Sequence, residues 1–344
     1  MSSLLAVNGG DGSTGFILNG IDINDSSGIS VSDAGDVNGD GYADILIGAN
    51  GSEPNGNNSG ESYVVFGRSS GFPAEFELSS LLGANGGDGT TGFILNGIDT
   101  DDLSGSSVSS AGDVNGDGYA DILIGANGSD PNGDNSGESY VVFGKAAVFP
   151  AEFELSSLLA INGGDGTNGF VINGIDVGDQ SGNSVSSAGD VNGDGYTDII
   201  IGADDADPNG DGSGESYVIF GKASGFTAEF ELSSLLIANG GDGSLGFVLK
   251  GIDLGDDSGS SISNAGDVNG DGYSDLLIGA GSADPNGNVI GQSYVVFGQA
   301  SGFPAEFELS SLLSANGGDG SLGFVLNGID HFDRSGSSVS SAGD

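Results

Sequence analysis

The chain has 344 residues, with 50 acidic side chains against five basic ones and a formal net charge of −45. Such a surface repels nucleic acid and anionic membranes and attracts cations, so we expect neither nucleic-acid binding nor membrane insertion. Apolar residues make up 36% of the chain, enough for a folded core, and the absence of cysteine excludes disulfides and thiolate metal sites.

A unit of 77 residues recurs along the chain. Its spacing is marked by Asp36, Asp113, Asp190, Asp267 and Asp344, and all eight tyrosines occupy only two repeat positions. Such repetition predicts an array of similar structural units over which any function is distributed. The predicted boundaries are a partial blade (its last strand) at 1–27, four blades at 28–104, 105–181, 182–258 and 259–335, and the first strand of a further blade at 336–344.

Each unit contains four predicted strands. In unit one they are GISVSDAGD (28–36), ADILIGA (43–49), ESYVVFG (61–67) and GFILNGI (92–98). The first has small side chains that suit a crowded position, and the next two are near-continuous apolar runs, typical of strands covered on both faces. Between the third and fourth strands, an insertion at 72–91 predicts an extra edge strand followed by a helical turn.

Four antiparallel strands per unit predict an all-β fold, a β-propeller built of four-stranded blades. A parallel β-helix is the competing repeat architecture, but it prefers much shorter periods. Because the repeat is interrupted at both ends, we expect an incomplete ring or a fragment of a larger one.

An acidic, glycine-rich loop follows the first strand of every unit. It reads DVNGDGYAD at 36–44 and 113–121, DVNGDGYTD at 190–198 and DVNGDGYSD at 267–275. In an EF-hand calcium loop, side-chain oxygens come from positions 1, 3 and 5, a backbone carbonyl comes from position 7, and glycine at 6 makes the turn. The same spacing predicts calcium ligands in all four units: Asp36, Asn38, Asp40, Tyr42 (carbonyl) and Asp44; Asp113, Asn115, Asp117, Tyr119 and Asp121; Asp190, Asn192, Asp194, Tyr196 and Asp198; and Asp267, Asn269, Asp271, Tyr273 and Asp275.

The loop differs from an EF-hand at position 12, where isoleucine replaces the closing glutamate, as at Ile47. The carboxylate at position 9 must therefore close the cage. Oxygen ligands without cysteine argue against zinc or copper, and magnesium is disfavoured because it keeps several waters. The alternative without a metal is an Asx-turn hairpin, in which Asp and Asn bond their own backbone amides.

The segment SVSSAGDVNGDGYADILIGA followed by GESYVVFG resembles the FG-GAP repeat of integrin alpha-subunit β-propellers, and bacterial proteins with this repeat look closer still. The resemblance implies four-stranded blades with calcium in the turn between the first and second strands. There are departures, since Ser27-Gly28 stands where the family has Phe-Gly, and the Gly-Ala-Pro is Gly-Ala-Asn, Gly-Ala-Asp or Gly-Ala-Gly.

Other acidic motifs carry weaker signals. A second loop, DPNGDNSGE at 130–138, is interpreted as a solvated turn with weak cation binding as the alternative, and GIDxxDxSG before each first strand is explained by turn chemistry. His331 is the one histidine of the sequence and lies in an irregular loop, and the five basic residues form no recurring anion site, so we expect no enzymatic activity.

The sequence thus predicts a calcium-binding propeller segment of a secreted or cell-surface protein. We expect it to serve adhesion or to act as an interaction scaffold, with another protein or a surface glycan as partner. The alternative is a carbohydrate-binding or accessory propeller of a polysaccharide-processing enzyme.

Overall fold

The computed structural model describes residues 3–69, 71–285, 289–300 and 302–342. Regular structure in these ranges consists of β-strands and short 3₁₀ helices, with no α-helix. No helix in the same ranges is long and apolar enough to cross a membrane. The predicted all-β class is confirmed.

Each unit forms an antiparallel sheet whose strands follow one another in chain order. We call them the inner, second, third and fourth strands. In unit one they are Ser30–Gly35, Asp44–Ala49, Glu61–Val65 and Gly92–Asn96. The equivalents are Ser107–Gly112, Asp121–Ala126, Glu138–Val142 and Gly169–Asn173; Ser184–Gly189, Asp198–Ala203, Glu215–Ile219 and Gly246–Lys250; and Ser261–Gly266, Asp275–Ala280, Gln292–Val296 and Gly323–Asn327.

The hydrophobic core lies between neighbouring sheets rather than within one of them. Second and third strands of interior units are buried along their whole length, as their continuous apolar runs predict. One cluster joins Leu46 and Phe93 of unit one to Ile122 and Tyr140 of unit two, and similar clusters follow between the later sheets. Inner strands lie against each other, and a Cβ at Gly35 would overlap Ala120 of the next unit, which explains their small side chains. The arrangement is propeller-like, and no sheet closes on itself.

The insertion forms a short strand that joins the sheet of the preceding unit. We call these segments clasp strands: Glu75–Glu77, Glu152–Glu154, Glu229–Glu231 and Glu306–Glu308. Each pairs in parallel with the fourth strand before it, so that Phe153 lies opposite Leu95. The sheets of units one to three therefore have five strands, while Glu75–Glu77 pairs with Ile17–Asn19 near the start of the chain.

Short 3₁₀ helices follow each clasp strand, and another precedes Ile17–Asn19 near the start of the chain. They lie at Ala6–Asn8, Leu78–Leu81, Gly83–Asn85, Leu155–Leu158, Ala160–Asn162, Leu232–Leu235, Ile237–Asn239, Leu309–Leu312 and Ser314–Asn316. The leucines at both ends of each LSSL segment are buried, which anchors the insertion in the core. The edge strand and helical turn predicted for 72–91 are confirmed, but the strand belongs to the neighbouring sheet.

Aromatic stacking strengthens the same junction. Phe149 of the insertion lies face to face with Phe93 of the preceding fourth strand, with ring centroids 4.2 Å apart. The Lys145 ammonium lies 4.7 Å from the centroid of the Phe149 ring. Arg68 and Lys222 repeat this cation–π contact on Phe72 and Phe226, so three of the basic residues have a recurring structural role.

The predicted blade boundaries remain predictions, because each clasp strand lies within one predicted blade and pairs with the sheet of the preceding one. Residues 336–342 are not assigned to a strand, although Val339 N donates to Ser261 Oγ as Val108 N does to Ser30 Oγ in the interior. Asp344, the predicted start of a fifth acidic loop, lies outside the described residues.

Replacing Phe149 by Ala should lower the free energy of unfolding by about 3–5 kcal/mol, because a buried ring and its stacking partner are lost together. Urea denaturation would measure the change. Val148→Ala is the matched control: Val148 is exposed, and its truncation should change the stability by less than about 0.5 kcal/mol. Equal effects of the two substitutions would contradict the proposed clasp.

Candidate metal site in the acidic loops

The four acidic loops lie at one edge of their sheets, each between an inner strand and a second strand. In unit one the loop begins after Gly35 and ends at Asp44, and the pairing register shifts between Asp33 and Gly35. Gly35 has a φ of 72°, which favours glycine and lets the chain leave the sheet as a bulge.

Side chains of the loop bind its own backbone. The two carboxylate oxygens of Asp36 accept the Asp40 and Gly41 N–H groups at 3.0 and 2.9 Å. Asn38 Oδ1 accepts Asp40 N–H at 2.8 Å, and Asp40 Oδ1 accepts Tyr42 N–H at 2.9 Å. The same bonds recur in the other three loops. The Asn38 and Asp40 bonds, each to the N–H two residues on, are those of consecutive Asx turns, and the Asp36 bonds close the loop across them.

The carboxylate at position 9 has a different environment. Asp44 is buried and accepts the N–H groups of Val37 and Gly67 at 2.9 and 2.8 Å. Burial, with a smaller contribution from the neighbouring loop carboxylates, raises the pKa of Asp44 to about 6 and the pKa values of Asp121 and Asp198 to about 7. No basic side chain offsets this effect at these three residues.

Neighbouring loops are tied together into a row. Ala120 N–H donates to the Asp36 carbonyl at 3.1 Å, and Lys145 N–H donates to the Val37 carbonyl at 2.9 Å. The Tyr119 ring covers Gly39 so closely that a Cβ there would overlap it, and the tyrosines of units three and four cover the preceding loops likewise. The sequence predicted only the tyrosine carbonyl as functional; the role of its ring between loops becomes visible in the tertiary structure.

The structure brings together some of the predicted ligands more closely than others. Asp36, Asn38 and Asp40 share one turn, whereas the Asp44 carboxylate is directed to the backbone of Val37 and Gly67. Across the described parts of the chain, no three Asp, Glu or His side chains are arranged to hold a metal ion by themselves. The donor set still fits calcium chemically, since every donor is oxygen and a carboxylate oxygen that accepts one N–H keeps a second lone pair. The ligand set and calcium binding therefore stay predictions.

The acidic loops and the strands around them match a known repeat family. The FG-GAP repeat family matches residues 30–65, 104–142, 181–219 and 258–296. The chain contains four FG-GAP repeats. In all four units the match contains the inner, second and third strands with the acidic loop, and the clasp strands lie outside the matches.

Integrin alpha-4 of Xenopus laevis is a relative of this chain. It is 30% identical over 179 residues, which is 51% of this chain and 14% of the integrin chain. The similarity thus covers a small part of the relative and supports the repeat architecture.

The raised pKa values of Asp121 and Asp198 predict a pH-dependent stability in the absence of divalent cations. An unfolded Asp has a pKa of about 3.9, so between about pH 4 and pH 7 the folded chain binds more protons than the unfolded chain. The free energy of unfolding should then fall as the pH rises through this window.

Urea denaturation at pH 5 and pH 8 would measure this dependence. The control is the double variant Asp121→Asn/Asp198→Asn, whose side chains stay neutral and whose stability should change less with pH. If both proteins showed the same pH dependence, these two carboxyls would not be its source.

Proposed function

We propose that the chain is a calcium-stabilised, non-enzymatic propeller segment of a secreted or cell-surface protein, serving adhesion or interaction scaffolding. The observation that carries this proposal is the row of four acidic loops with the same oxygen donors and the same internal bonds. Its partner would be another protein or a surface glycan. The similarity to integrin alpha-4 supports this class of role.

Calcium would neutralise carboxylates that the chain leaves without a counter-charge. At about 1 mM calcium and a dissociation constant of about 10⁻⁴ M, mass action contributes about 1.4 kcal/mol per site, or about 5–6 kcal/mol for four sites. A typical domain has a total stability of about 5–15 kcal/mol. Sites of this strength stay empty at cytosolic calcium concentrations, which supports an extracellular location.

Several observations support a non-catalytic role. Repetition gives no acidic residue of the loops a unique environment, and His331 packs against Phe332 on an exposed turn. The carbohydrate-binding alternative needs exposed aromatic platforms. Third-strand tyrosines such as Tyr140 are fully buried, and Tyr119 packs on the neighbouring loop, so neither residue offers such a platform; Tyr42 of the first loop is 42% exposed. Glycan-array binding lost after substitutions on one sheet edge only would favour the alternative.

Removing calcium with a chelator should lower the melting temperature of the chain by many degrees, because four sites would lose their bound ion together. Differential scanning calorimetry with and without about 1 mM calcium would measure the shift. An unchanged melting temperature would refute the calcium proposal.

Asp117→Ala should remove one of the four loop sites, since Asp117 is the position-5 ligand of unit two. The calcium-dependent gain in stability should shrink by about 1.4 kcal/mol, and calorimetric titration should show one site fewer. Asp134→Ala is the matched control, because it deletes an exposed carboxylate of the same unit outside the loop. Loss of a site in the control, or four intact sites in Asp117→Ala, would contradict the ligand assignment.

A further inference from the structure

Unit two has a second group of carboxylates at the sheet edge opposite its acidic loop. Asp102 precedes the inner strand and Glu138 begins the third strand, and both are buried. Asp102 Oδ2 accepts Asp99 N–H at 2.9 Å, and Glu138 Oε2 accepts the Tyr140 hydroxyl at 2.6 Å. Burial, together with the negative charge of Asp102, raises the pKa of Glu138 to about 7. Two buried carboxylates thus lie close together with no basic residue beside them.

Two buried oxygen atoms at the same place have no hydrogen-bond partner. Ser129 is 2% exposed, and its hydroxyl lies close enough to Asp102 and Glu138 to lower the pKa of both, yet Oγ makes no hydrogen bond of acceptable geometry. Asn173 is 8% exposed and pairs with Glu138 across the sheet. Its Nδ2 donates to Glu231 of the clasp strand, while its Oδ1 has no partner.

Unit four shows which way this asparagine oxygen faces. There Gln292 replaces the glutamate, and its Nε2 donates to Oδ1 of Asn327, the equivalent of Asn173, at 2.6 Å. The Tyr294 hydroxyl still donates to the same side chain, at 2.8 Å. An asparagine oxygen in this position therefore faces the side chain of the third strand. In unit two that side chain is a carboxylate, which has no proton to donate when ionised.

Unit three has a basic side chain at the corresponding position. Lys250 replaces the asparagine and pairs with Glu215 across the sheet. Its ammonium lies 2.6 Å from Glu306 Oε2, and its charge partly offsets the burial that raises the pKa of Glu215 to about 7. Ala206 and Ala283 replace Ser129 in units three and four. The hydroxyl is thus missing from the two units in which a lysine adds a positive charge or a glutamine replaces a carboxylate.

Unit one has the full set of unit two, namely Asp25, Ser52, Glu61 and Asn96. Its Ser52 Oγ is likewise buried without a partner, and the Tyr63 hydroxyl donates to Glu61 at 2.6 Å. A cavity of about 750 Å³ lined by Asp25, Ser52 and Glu61 gives access from solvent.

We propose that Asp102, Ser129, Glu138 and Asn173 form a second type of cation site, repeated in unit one by Asp25, Ser52, Glu61 and Asn96. The donors are two carboxylates, a hydroxyl and an amide oxygen, a set that suits a hard divalent cation of the calcium class. The cation takes the place of the Lys250 ammonium of unit three. A shared proton would satisfy one pair of oxygens and leave the others unpartnered, so a cation accounts for more of the arrangement.

The test compares calcium bound per chain, measured by equilibrium dialysis with metal analysis. The double variant Glu61→Gln/Glu138→Gln gives units one and two the residue that unit four carries, which keeps the tyrosine bond and preserves the fold. It should bind two fewer calcium ions than the wild-type chain, and Asp134→Ala should bind the same number. This difference does not depend on the acidic loops, whose failure would lower both counts equally.

A gain-of-site variant provides the complementary test. Ala283→Ser/Gln292→Glu gives unit four the donor set of unit two and should raise the count by one, whereas Ala283→Ser alone should leave it unchanged. The proposal would be overturned if the loss variant and the wild-type chain bound equal amounts of calcium. It would also fail if the gain variant, folded as judged by circular dichroism, bound no additional ion.

Discussion

Repulsion between carboxylates that the chain itself does not neutralise is the constraint on which the structure depends. With 50 acidic and five basic side chains, ion pairing can satisfy only a small minority of them. The fold places many of the acids at sheet edges, where backbone N–H groups become available as the chain turns. In the acidic loops those N–H groups bind Asp36, Asn38 and Asp40, and the buried Asp44 is held by two more. A backbone N–H satisfies an oxygen but does not cancel its charge, so the loops keep their negative charge.

The repeats are held together by contacts between units rather than within them. Each clasp strand extends the preceding sheet, each insertion phenylalanine stacks beside the preceding fourth strand, and the loop tyrosines of units two to four cover the preceding loop. Because these contacts all run in the same direction along the chain, the geometry of one acidic loop is coupled to the position of the next unit. A stabilising ion in one loop would thereby support its neighbour.

The two edges of the sheets differ in which side chains accompany their carboxylates. At the loop edge all four units keep the same donors. At the opposite edge the units diverge, with Lys250 in unit three, Gln292 in unit four and a complete oxygen set in units one and two. At the positions equivalent to Ser129, units one and two have serine and units three and four have alanine. The four units are thus variants of one site. In units three and four a basic or neutral side chain of the protein reduces the negative charge, and in units one and two we propose that an added ion does so.

The sequence by itself determined the 77-residue repeat, the four antiparallel strands of each unit and the position of the acidic loops. These features depend on local signals: apolar runs of strand length, glycine at positive φ, and oxygen side chains at alternating loop positions. The tertiary structure decided which sheet the clasp strand joins, because an edge strand carries no mark of its partner. It also decided that Asp44 turns to the backbone of Val37 and Gly67, and that Asp102, Ser129, Glu138 and Asn173 meet. Those residues come from separate segments of the chain. Only the folding of the sheet removes them together from water, which makes their uncompensated charge costly.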